Sequence, residues 1–234
     1  MVPYNANRTY YNFRWFFAHS GGQLTNMGVH YMDMIRWCLS EQEVMPRAVS
    51  AMGGKFAVED NREIPDTLEV MWQFDGTLVT FSQINANSAP GNVQNSEMEL
   101  RGTKGTMYLH PNRWEVVPEQ VSDHARPVRT PIGRDQQRAL ERGGRKPIIE
   151  ARKVQGSADT AFHTRNFLDC VKSRAKCNCD ILTGHLSTSA TILGNIALKT
   201  RAQLEWDAAA EKFANNDAAN AMLSYRYREP YRLR

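Results

Sequence analysis

Between Arg47 and Pro118 one short run of alternating polar and apolar residues follows another, and no helical segment separates them. "RAVSAMGGKFAV", "DTLEVMWQF", "GTLVTFSQINAN", "SEMELRG", "GTMYLH" and "RWEVVP" show the period of two, or the β-branched and aromatic content, of strands. Asp75-Gly76 joins two of these runs with a dipeptide that tight hairpins prefer. Thr103-Lys104, between Gly102 and Gly105, makes a second sharp reversal, and Pro118 stops the last run. Parallel neighbours would need crossovers of a dozen residues or more. The links here are too short for that, so the strands must form an antiparallel sheet.

Helical patterns flank the strands. One is predicted over 23–39 after a Gly21-Gly22 turn that frees the backbone. Others are predicted over 158–174 and 184–201, with Asp180 or Thr183 as a cap, and a short one near 216–223. Helix, then sheet, then helices describes an α+β fold: a large, mostly antiparallel open sheet with helices packed on one face. We expect residues 1–234 to form a single domain without internal repeats. Residues 119–156 are rich in Arg, Pro, Gly and Gln and have little periodicity, so they are expected to form an irregular arm or lid.

The chain's 234 residues, 41% hydrophobic and 23% charged, are ordinary for a soluble globular protein. No run of about 18 apolar residues is present, so no membrane partner is expected. The opening "MVPYNANRTYYNFRWFF" does not read as a signal peptide, and a cytoplasmic location is the expectation. A net charge of +4, much of its basic excess lying in 126–153, argues against nucleic acid as a partner. Cys38 and Cys170 fall on apolar helical sides and read as small core residues. Cys177 and Cys179 form a lone C-x-C with no second ligand pair near it in sequence, so no metal site is expected.

On the first helix, Asn26, His30, Asp33 and Trp37 fall within roughly 60° of one another. Leu24, Met27, Tyr31, Met34, Ile35 and Cys38 are expected on the opposite, core side. The polar ridge can face water, a partner or a substrate. His163 and Asn166 form a second pair on one helical side, which capping or interhelix hydrogen bonds would also explain. Lys104 sits in the Gly-flanked turn, where a lysine is commonly just exposed.

Several stretches carry a family likeness: "GGQLTNMGVHYMDMIRW", "EMELRGTKGTMYLHPNRWEVVPE", "HTRNFLDCVKSR", "GHLSTSATILGNIALKTRAQLEWD" and the tail "DAANAMLSYRYREPYRL". In this order they resemble the C-terminal, substrate-binding domain of the glucose–fructose oxidoreductase / inositol dehydrogenase / MocA family, whose many bacterial members end in a similar tail. The resemblance implies that His30 is the base that takes a hydroxyl proton from the substrate, a task suited to a group titrating near neutrality. The family's usual Asp is replaced by Asn26, whose amide can orient substrate but cannot accept a proton. Asp33 would act with His30 in catalysis by fixing its tautomer, and His163, Asn166 and Lys104 would join Asn26 in binding substrate.

Family enzymes normally begin with a Rossmann domain, and its G-x-G-x-x-G occurs nowhere in these residues. The implied role is the substrate half of an oxidoreductase for a sugar, cyclitol or similar polyol. It would bind no cofactor alone, and NAD(P) would enter only with a supplied Rossmann domain. A homodimer or homotetramer through the sheet face is the implied assembly. Two other readings remain open: a cofactor-independent hydrolase or lyase acting on a keto-sugar, glycoside or lactone with His30 as base, and a non-catalytic oligomerising or binding module.

Overall fold

Thr67–Gln73 (β2) and Leu78–Ile84 (β3) pair antiparallel around the Asp75-Gly76 turn, where Gly76 takes a φ of 77° and Phe74 N donates to Thr77 O. The computed structural model in which they lie describes residues 4–39, 45–92, 94–122, 145–157, 159–225, 227 and 229–231. The described elements divide between two units, residues 1–88 with 176–234 and residues 89–175. Both are α+β with antiparallel sheets.

The first unit holds a helix at Gly22–Cys38 (α1), Ala48–Gly54 (β1), β2, β3, a helix at Ile181–Thr200 (α3), Leu204–Asp207 (β10), Lys212–Phe213 (β11) and a one-turn helix at Asp217–Asn220 (α4). Its five strands run in the order β11-β10-β1-β2-β3. Pleating sends Leu68, Val70, Trp72 and Val79 inward, where α3 lies against β1 and β2 and α1 against α3 and β3. Trp72 is 1% exposed, and its indole N–H donates to the carbonyl of Ala190 at 2.8 Å, so the bulkiest core side chain also meets its polar need. Close approach is set by Gly194, where an added Cβ would lie 2.9 Å from both Leu24 and Val70. Asp180 caps α3 by accepting from Thr183 N at 2.9 Å. Hydrogen bonds from the Thr183 hydroxyl and N–H, and then from Lys176, hold its carboxyl down at about 2.

The two-stranded β10–β11 extension lies beyond the strands read from sequence. Two and four residues are too short to show a period, and main-chain pairing of Ala48 with Glu205 and of Val49 with Leu204 places β10 beside β1.

In the second unit, Met98–Gly102 (β4), Gly105–His110 (β5), Arg113–Pro118 (β6) and Arg152–Gln155 (β9) form one sheet. Gln120–Ser122 (β7) and Arg145–Pro147 (β8) form a separate ribbon, and Ala161–Ser173 (α2) is the helix of this unit. The 119–156 stretch thus supplies three strands, while residues 123–144 lie outside those described. These strands escape the pattern because their side chains are mostly exposed; β9 is held by its ladder with β6.

Candidate functional site

The start of α1 is fixed from three sides. Gly22, at a φ of +72°, lies so close to Ile64 that an added Cβ would overlap it. Gly21 N donates to Thr25 Oγ1 at 3.1 Å, and Asn195 of α3, itself buried, donates to Gly21 O at 2.9 Å. Further along, Ser187 of α3, 2% exposed, donates to Asp33 Oδ1 at 2.8 Å. Arg36 donates to Ser187 Oγ at 2.7 Å and to the Thr183 carbonyl at 3.0 Å. Burial draws the Arg36 guanidinium below its ordinary value, with Asp33 opposing that fall. The Cys179 thiol is pushed up by burial and then by the negative charges of Asp33 and Asp180.

This arrangement splits the polar ridge. Asp33 turns to α3 and spends an oxygen on Ser187; no His30–Asp33 hydrogen bond forms among the described residues. Asn26 is half-buried, its amide donating to Gln23 Oε1 at 3.1 Å. His30 is exposed, and its ring makes no hydrogen bond or ion pair among the described residues. It stands as an open imidazole on a helix whose other side is anchored.

The core side differs from the sequence expectation. Leu24 and Ile35 are buried as expected, together with Gly28 and Met32, but Met27 is 40% exposed and Cys38 is also exposed. Packing against β3 and α3 covers a narrower arc than the apolar residues span, leaving Met27, Met34, Trp37 and Cys38 toward the His30 side. Cys38 is therefore not a core residue, whereas Cys170 is buried.

Lys104, His163 and Asn166 belong to the second unit. Lys104 is exposed on the two-residue β4–β5 turn, and its carbonyl accepts from Glu119 N. His163 is exposed on α2, and Asn166, one turn on, reaches Cys170 Sγ at 3.8 Å. Ser187 and Arg36, which anchor α1 together with the Thr183 carbonyl, carry no role in the sequence reading. The one signal for Ser187 is the small and polar residues at helical spacing in "LSTSATILGN", where an all-apolar buried helix would carry larger side chains. Among the described residues no three His, Cys, Asp or Glu side chains are grouped to hold a metal ion.

Residues 2–108 match the family described as "GFO/IDH/MocA C-terminal domain", and residues 144–233 match "Oxidoreductase family, C-terminal alpha/beta domain". The chain belongs to the GFO/IDH/MocA oxidoreductase family. No protein of curated function matches its sequence. Among solved structures, an NAD-binding protein from Listeria innocua is similar at 17% identity and a TM-score of 0.53, over 82% of this chain and 54% of that one. The WlbA dehydrogenase from Bordetella pertussis, solved with NADH and UDP-GlcNAcA, is similar at 12% identity and a TM-score of 0.48, over 83% and 48%. An oxidoreductase from Agrobacterium radiobacter, solved with NAD+, L-tartaric acid and magnesium, gives 13% identity and 0.47, over 79% and 49%. The GFO/IDH/MocA chain described here thus spans about half the length of each, and at 17% identity its likeness to the Listeria protein is one of fold alone.

The Rossmann mode of dinucleotide binding uses a glycine-rich turn between a parallel strand and a helix, with the helix's first N–H groups open to pyrophosphate. All strand pairs described here are antiparallel. The Gly21-Gly22 turn is closed by Ile64, Thr25 and Asn195. Those glycines serve packing, and no Rossmann-type turn for a dinucleotide is present among the described residues.

Proposed function

We propose that this chain is the substrate-binding part of an oxidoreductase for the alcohol group of a sugar, cyclitol or similar polyol, with His30 as its base. The observation that carries the reading is the contrast along α1: Asp33 and Arg36 are locked to α3, and His30 stands open with an unengaged ring. A catalytic base must reach its proton with a free lone pair while its backbone stays still. Here the imidazole takes the proton of the substrate hydroxyl as the carbonyl forms. The Asn26 amide, one turn back, has an oxygen and a second N–H available to fix neighbouring hydroxyls. Asp33 acts through the helix by holding it to Ser187.

A hydride must also leave the carbon, and a nicotinamide to receive it would have to come with a dinucleotide-binding fold that these elements do not form. The proposal is accordingly limited to binding and proton transfer. We further propose that a second copy covers the outer face of the five-stranded sheet, where Met52, Met71, Leu78 and Ile84 are exposed.

Calorimetric titration of the purified chain with cyclitols, aldoses and ketoses tests the central reading. His30→Ala and Asn26→Ala should each weaken binding by about ten-fold, near 1.4 kcal/mol. Thermal stability should hold within about 0.5 kcal/mol for the exposed His30. Unchanged binding in both variants would sink the proposal. Turnover of a keto-sugar or lactone without nicotinamide, lost in His30→Ala, would replace it with a hydrolase or lyase.

A further inference from the structure

One face of the four-stranded sheet has a polar arrangement that its own side chains do not complete. Pleating places Tyr108 and His110 of β5 on the same face as Arg113 and Glu115 of β6 and Lys153 and Gln155 of β9. His110 is deeply covered, its side chain only 4% exposed. Its Nε2 lies 3.5 Å from Glu115 Oε1 and 3.3 Å from Nη2 of Arg113.

One ring nitrogen cannot satisfy both neighbours. As an acceptor it takes an N–H of Arg113 and has no proton for Glu115; as a donor it faces a guanidinium that has no lone pair to offer. Glu115 has a second cation to turn to, because its Oε2 lies 3.6 Å from Lys153 Nζ. Arg113 has no such alternative. Its Nε is buried and bonds to nothing among the described residues, and none of their carboxylates lies within ion-pair distance of it. The residue is half-buried, and its covered Nε bears the cost of desolvation without a partner to offset it.

We propose that Arg113, with His110 beside it, binds a small oxyanion: a carboxylate or a phosphate oxygen pair. The guanidinium offers parallel N–H donors to two oxygens, a geometry that suits both groups. An anion paired with the terminal nitrogens of this half-buried residue supplies the missing counter-charge. It also frees His110 Nε2 from Arg113, so that the ring can donate to Glu115. This site is independent of His30 and of the polyol reading.

The test titrates the full chain with sodium acetate and, separately, with potassium phosphate at constant ionic strength in chloride, followed by calorimetry and by the ring resonances of His110. Saturation by acetate alone identifies a carboxylate ligand, by phosphate alone a phosphate ligand, and by both a general oxyanion site. Arg113→Gln should lose about ten-fold or more in affinity, the order of a charge-assisted hydrogen bond. Arg165→Gln, on an exposed face of α2, should bind as the wild type does. The proposal is overturned if neither anion saturates or if Arg113→Gln binds normally. Should Arg113→Gln fail to fold, the wild-type His110 resonances decide: a ring that does not respond to either anion overturns it.

Discussion

The two units use the same secondary structure to different effect. In the first, the helices press their apolar arcs onto the sheet: Leu24, Met32, Val70, Trp72, Leu193 and Leu204 are each at most 2% exposed. In the second, Met98, Tyr108 and Cys170 are the buried hydrophobic residues among those described, and they are 7–9% exposed. Its helix α2 leaves Phe162 76% exposed and Phe167 56% exposed, with Leu168 and Val171 at 45%. Phe167, Leu168 and Val171 fall within about 100° on the helical wheel, so the stripe is a true amphipathic face. An apolar helical face therefore predicts a helix, but not that the unit containing it will cover that face.

The sharpest way to break this contrast is to cut into the first core. Trp72→Ala removes a fully buried indole and leaves the Ala190 carbonyl without its donor. It should cost about 3–5 kcal/mol, read as a lowered urea midpoint. A loss below about 1 kcal/mol would show that the first unit is as loosely filled as the second.

A second test addresses a polar anchor of the same unit. Asp66 is wholly buried between Pro65 and Thr67, and its carboxylate accepts from the backbone N–H of Phe56, Ala57 and Val58 and from the Thr67 hydroxyl. The Ala57 and Val58 bonds, foremost, hold its carboxyl well below the usual carboxylate range. The folded state thus binds fewer protons than the unfolded chain, and this stabilisation is complete only above the unfolded value near 3.9. It fades as pH falls below that value toward the depressed folded one. Asp66→Asn should melt lower at neutral pH, because its amide turns an N–H toward donors. Its stability should also fall less than that of the wild type between about pH 4 and pH 2. Parallel pH profiles for the two proteins would refute this account.

These residues mark what was legible in the sequence. Six strands, their hairpins and three long helices could be read because period and turn chemistry are local. The Asp180 cap was legible for the same reason. The Ser187–Asp33 bond joins positions 154 apart and the division of the strands between two sheets is likewise long-range, so no window of sequence contains them, while the burial of Asp66 rests on main-chain donors 8 to 10 positions back in a loop that shows no period. The candidate site was half legible. His30 stood out by its spacing and family likeness, whereas Asp33 was read as its companion and in fact faces α3.

That tie gives the next effect in size. Ser187→Ala leaves Asp33 and Arg36 without their shared hydroxyl, at a cost of about 1–3 kcal/mol for the groups left unsatisfied. Ser187→Thr should restore the bond where the added methyl is tolerated. Polyol binding by the Ser187→Ala protein should weaken along with stability if Asp33 positions His30 through the helix, and stay intact if the tie only holds the fold.

The smallest effect is expected on α2. Phe167→Ser and Val171→Ser change side chains that water already reaches, so each should shift stability by no more than about 0.5 kcal/mol. Each lost apolar contact is worth only what the covered fraction of the side chain buries, at about 25 cal/mol per Å². The informative result would be a large one. If Phe167→Ser cost as much as a core truncation, something would have to cover the stripe in solution, and the concentration dependence of the melting temperature would show whether that cover is a second copy of this chain. A small, concentration-independent change would instead leave the α2 face as solvent-exposed surface and confirm that the stability of this protein resides in the sheet and helices around Trp72.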